Sequence, residues 1–131
     1  MSTSERRKHS RVKINYPISY VCMDKKGRIV QQNMGVALNI SQSGILIETA
    51  DSVFSKYISL ISVDLNKDII EIKGKVAYCK MSKTKKYRVG ISFEGTHAQS
   101  IHFVKGLIRS YYYNRDEYRN SSASENKTAV M

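Results

Sequence analysis

Two short patterns of side chains in this sequence have the chemistry to hold a purine nucleotide: Arg7-x-x-x-Arg11 within ERRKHSRVKINYP, and Asn39-x-Ser41-x-x-Gly44 within ALNISQSGILIE. A guanidinium presents planar, parallel N–H donors, so it matches the O6/N7 edge of guanine or two phosphate oxygens at once, which an ammonium does not. The Asn-x-Ser turn adds small polar atoms. Gly44 would permit a positive φ, or a close approach of backbone to a base where any Cβ collides. Arg6 stands directly before Arg7, and the extra guanidinium could stack on a guanine face or bond a second set of phosphates.

With these residues in this order, the chain resembles the PilZ domain, the bacterial receptor module for cyclic di-GMP. That family carries RxxxR followed by (D/N)xSxxG; here Arg7, Arg11, Asn39, Ser41 and Gly44 fill the positions, with Asn in the slot more often held by Asp. Gly74-Lys75-Val76-Ala77-Tyr78 and Tyr87-Arg88-Val89-Gly90-Ile91-Ser92-Phe93 look like the family's last two barrel strands, so the likeness covers roughly residues 6–117. The resemblance implies a ligand, cyclic di-GMP, bound by Arg6, Arg7, Arg11, Asn39, Ser41 and Gly44, with no metal. Family members take one ligand or an intercalated pair, and the tandem Arg6-Arg7 favours the pair. It also implies a protein effector to which the bound state is passed on.

The chain has 131 residues, of which 41% are hydrophobic and 25% charged, as expected for one globular domain. No stretch approaches the length of a membrane span, and MSTSERRKHS lacks the apolar run of a secretory signal, so a cytoplasmic protein is expected. The net charge of +11 calls for an anionic partner without choosing among nucleic acid, lipid and a small ligand. Arg6, Arg7, Lys8, Arg11 and Lys13 crowd the N-terminal arm, while Lys80, Lys83, Lys85, Lys86 and Arg88 read as a solvated hairpin loop. Cys22 and Cys79 lack metal-ligand spacing and read as buried free thiols. His9, His97 and His102 share no ligand spacing, and neither a carboxylate pair nor a phosphate-binding glycine loop supports an enzyme.

These motifs need a scaffold, and the hydrophobic period supplies one. Val12, Ile14, Tyr16, Ile18, Tyr20 and Cys22 alternate with polar residues, as in a half-buried strand. Pro17 cannot donate to a ladder and calls for an edge or a bulge there. Asp24-Lys25-Lys26-Gly27 is a turn signal, followed by a second strand over residues 28–39. Further strands are expected over 44–49 and over 58–64, the latter with apolar residues on both parities. In the fifth, Ile70, Ile72, Gly74, Val76 and Tyr78 share one face; in the sixth, Tyr87, Val89, Ile91 and Phe93 do.

The period then changes. Thr96 and Gln99 form a capping-box signature, and Ile101, Val104, Leu107, Ile108 and Tyr111 make the apolar stripe of a helix over 97–118 that should cover the barrel.

The expected protein is therefore mainly β: a six-stranded antiparallel PilZ-like β-barrel over 13–94, a flexible basic arm over 1–12, one C-terminal α-helix within 95–118 and a disordered polar tail over 119–131. Its expected role is that of a receptor or adaptor that changes conformation on binding cyclic di-GMP. The alternative is a nucleic-acid-binding basic β-barrel, favoured by the charge and by Tyr111, Tyr112 and Tyr113, but lacking aromatics interleaved along the strands.

Overall fold

Alternation and hairpin spacing resolve into six antiparallel strands and one helix in the computed structural model, which describes residues 10–130, with side chains as far as residue 115. In chain order these are β1 (Val12–Met23), β2 (Ile29–Ile40), β3 (Gly44–Thr49), β4 (Tyr57–Val63), β5 (Ile69–Met81), β6 (Tyr87–Glu94) and α1 (His97–Val130). The strands close into a barrel with ring order β1-β2-β3-β6-β5-β4. Closure removes the free edges that would otherwise template aggregation.

Inward side chains of every strand fill the barrel. In β1, Ile14, Ile18, Tyr20 and Cys22 are buried, as the alternation requires. Tyr20 carries a hydroxyl into this core and satisfies it on Thr49, Oη to Oγ1 at 2.8 Å. Burial pushes the Tyr20 phenol and the Cys22 thiol above their ordinary pKa values. Both cysteines are free thiols, Cys22 fully covered and Cys79 partly so. Pro17 is accommodated as the sequence demands: β1 pairs with β4 only from Ser19 onward, and the β1–β2 register shifts between Lys13 and Tyr16.

One facing assignment is overturned. The sequence places Tyr78 inward with Ile70, Ile72, Gly74 and Val76, yet Tyr78 is 44% exposed. The β5–β6 register shifts between Val76 and Tyr78, and an extra residue in one strand reverses the parity of all that follow. Tyr78 then lies on the outer surface over Gly90, where a Cβ would come within 2.3 Å of its ring. The bulge also brings Cys79 toward the core and lets β5 continue to Met81.

α1 starts at the capping box read from the sequence: Gln99 Oε1 accepts from the Thr96 N–H at 2.8 Å, and Thr96 Oγ1 accepts from the Gln99 N–H at 3.2 Å. Val104 and Leu107 of the expected stripe are buried, joined by Phe103, which meets Phe93 edge-to-face at 5.9 Å. Ser110 Oγ donates to the Val63 carbonyl at 3.2 Å. The helix thus closes the barrel end formed by the start of β1, the end of β4 and the start of β5. It runs on to Val130, past residue 118 where the sequence reading ends it and through most of the stretch read as a disordered tail; no Gly or Pro interrupts residues 107–130. Among the described residues no helix is long and apolar enough to cross a membrane.

Candidate ligand site

Strand direction decides what meets at the two barrel ends. The start of β1, the β2–β3 turn, the β4–β5 hairpin and the entry to α1 share one end; the β1–β2 hairpin, the β3–β4 connection and the β5–β6 hairpin share the other. Both sequence motifs fall on the first end.

Register brings them into contact. Lys13 of β1 pairs with Asn39 of β2, so the chain leaving β1 toward its N-terminus passes the end of β2. Arg11, exposed on the surface, donates from Nη1 to Asn39 Oδ1 at 2.7 Å across 28 positions of sequence. That is the only hydrogen bond its side chain makes among the described residues. Among the described residues the other guanidinium donors have no partner, and the one bond to Asn39 fixes where the fork sits. Arg6 and Arg7 lie outside the described residues, as does His9.

Asn39 leads directly into the turn. The Ser41 N–H donates to the Gly44 carbonyl at 2.9 Å, closing it. Ser41 Oγ accepts from the Ser43 N–H at 3.2 Å and lies 3.1 Å from Ser43 Oγ. The β6 end holds the turn from outside, Phe93 N–H to Ser43 carbonyl at 2.9 Å. Ser41 is therefore buried, 3% exposed, and its hydroxyl is spent on the turn itself. Gln42 and Ser43, which occupy the unspecified positions of the motif, are the residues the turn presents to solvent. Spacing alone cannot show this, because the motif specifies the residues that shape the turn as much as any that touch a ligand.

Of the two properties expected of Gly44, the positive φ is not found; among the described residues the glycines that adopt one are Gly27 and Gly95. Packing requires a glycine here. A Cβ there would stand 2.4 Å from the Ile91 carbonyl oxygen of β6, a backbone atom that cannot swing aside. Gly44 lets β3 begin hard against β6 and so fixes where the turn sits.

Ser41→Ala should leave the barrel intact and loosen this turn. Losing one net hydrogen bond, worth about 1 kcal/mol, should lower the melting temperature by about 4 °C in a thermal scan of the unliganded protein.

The chain can now be set beside known proteins. The family model of the PilZ domain matches residues 5–113, a span that contains Arg6, Arg7, Arg11, Asn39, Ser41 and Gly44. No curated protein sequence matches it. Among solved structures, the inhibitor of motility MotI/DgrA of Bacillus subtilis is similar at a TM-score of 0.57 and 18% identity, covering 79% of this chain and 50% of that one. The PilZ domain of YcgR from Escherichia coli with c-di-GMP gives a TM-score of 0.53 at 10% identity, covering 87% of this chain and 98% of that one. The K. pneumonia MrkH-c-di-GMP complex gives 0.55 at 14% identity, covering 79% and 50%. At these identities the likeness is one of fold. The chain spans about half the length of MotI/DgrA and of MrkH.

Proposed function

The chain belongs to the PilZ domain family, and on that footing we propose that it is a cytoplasmic receptor for cyclic di-GMP, a binding module rather than an enzyme, which hands its bound state to a protein effector. The observation that carries this reading is the Arg11–Asn39 bond. It joins the two halves of the ligand motif at one barrel end.

In this proposal the labour divides between the arm and the turn. Asn39 holds Arg11 at the mouth of the site, Ser41 and Gly44 hold the turn in place, and Arg6 and Arg7 close over the ligand from the arm. A guanidinium on the O6/N7 edge supplies base recognition, and the others neutralise phosphate. Ordering the arm over this end changes the surface beside α1, and a partner that prefers the closed form would read it. The tandem Arg6-Arg7 favours an intercalated pair of ligands.

Calorimetric titration of the purified chain tests the reading. Saturable heat with about two cyclic di-GMP per chain is expected for an intercalated pair. No heat at any ligand concentration would contradict the receptor assignment, and saturation at one ligand would overturn the pair.

A further inference from the structure

The opposite end of the barrel carries chemistry that the ligand motif does not use. β3 and β4 stand across from each other in the six-strand ring, so their connection, residues 50–56, must cross the whole barrel end. Within it Val53 is 5% exposed and plugs the core, whereas the next residue, Phe54, is 91% exposed, the most exposed large apolar side chain among the described residues. The crossing is tied down on both sides. Gln31 Nε2 donates to the Ser52 carbonyl at 3.0 Å, Asn33 bonds Asp51, and the Val76 N–H donates to the Lys56 carbonyl at 2.8 Å. Phe54 is thus held outward by its neighbours.

Ring order also places a hairpin on each side of this crossing: β1–β2 with Lys25 and Lys26, and β5–β6 with Lys83, Lys85 and Lys86. The acids at this end already have partners. Asp24 pairs with Arg28 at 2.8 Å, Glu48 faces Arg88 at 3.4 Å, and Asp51 is held by Asn33. The five hairpin lysines make no ion pair among the described residues. Lys85 takes a left-handed backbone, φ 65, at the turn position where the β1–β2 hairpin uses Gly27. Side chains enter that region less readily than glycine does.

We propose that this end docks on an anionic lipid surface, with Phe54 entering the interface and the two lysine-bearing hairpins lying against headgroup phosphates. An apolar tip flanked by cations on projecting loops fits a plane that is negative outside and apolar beneath. Nucleic acid asks for aromatics on a strand face or in a groove, and the exposed aromatic of this end is a single ring on a crossing loop. Docked this way, the chain would turn its ligand end toward the cytoplasm.

The chain contains no Trp, so Phe54→Trp introduces a single fluorescent reporter at the proposed contact. Vesicles of phosphatidylcholine with about a third phosphatidylglycerol should shift its emission to the blue, and pure phosphatidylcholine should not. Phe54→Ser, and separately Lys83→Glu with Lys85→Glu, should each weaken co-sedimentation with the anionic vesicles by about tenfold while cyclic di-GMP binding and melting temperature stay unchanged. Absence of vesicle association, or vesicle binding indifferent to Phe54→Ser, would overturn the proposal. An equal blue shift with polyglutamate or with single-stranded DNA would overturn it in favour of a protein or nucleic-acid partner.

Discussion

Arg11→Ala should lower the affinity for cyclic di-GMP by about tenfold to a hundredfold or more while leaving the melting temperature unmoved. A charge-assisted hydrogen bond contributes roughly 1.5–3 kcal/mol, and each 1.4 kcal/mol is a factor of ten. Arg11 is exposed, and its one bond among the described residues is to the exposed side of Asn39, so the fold has little to lose. Arg7→Ala should behave alike, with its evidence in the motif rather than in a contact, since it lies outside the described residues. Arg11→Lys is the informative companion. It keeps the charge and loses the planar fork, so an affinity close to that of Arg11→Ala marks bidentate recognition, and an affinity near the wild type marks simple attraction. Wild-type affinity for Arg11→Ala itself would remove the arm from the site.

Gly44→Val should act on the fold first and on the ligand second. The obstacle to a Cβ at this position is the Ile91 carbonyl at 2.4 Å, on a strand locked into the barrel by pairing on both sides. Either β3 peels from β6 or the turn moves away from Asn39. A loss of about 3 kcal/mol and about 10 °C in melting temperature is expected without ligand, together with loss of cyclic di-GMP binding. Gly44→Ala carries the same Cβ and should show most of the same loss. A variant that melts like the wild type but binds no ligand would return Gly44 to direct contact with a base.

The difference between those two accounts of Gly44 shows where sequence reading stops. A motif marks positions that matter without saying whether they touch the ligand or hold the turn. Ser41 is spent internally on the Ser43 N–H, and Gln42 and Ser43, invisible to the motif, face solvent. The strands themselves were plainly legible, because period-2 alternation is enforced wherever one face is buried. Tyr78 broke that logic through a bulge, which leaves no compositional trace. The left-handed turn positions of two hairpins left no mark either. Asp24 to Gly27 announces itself by its glycine, while Lys67 and Lys85 take the same left-handed position with no such mark. Ring order was beyond reach as well, since β3 meets β6 through pairings between residues some forty positions apart, as with Glu48 and Arg88. The Thr96 capping box, by contrast, is local chemistry and was read correctly. The end of α1 was not, because polar composition argued for disorder while the absence of Gly and Pro left nothing to stop the helix.

The barrel end that carries Arg11 and Asn39 should recognise guanine in a cyclic dinucleotide, beyond what a surface of net charge +11 would attract. Parallel calorimetric titrations with cyclic di-GMP and cyclic di-AMP at about 150 mM salt test it most directly, since exposed charges are then screened beyond roughly 8 Å. The two ligands carry the same phosphates and differ at the base edge, where adenine places an N6 donor in the position of the O6 acceptor. Cyclic di-GMP should bind on the order of 100-fold more tightly, because each mismatched fork costs about 1–3 kcal/mol. Equal affinity for the two would rule out guanine recognition and leave only a basic surface.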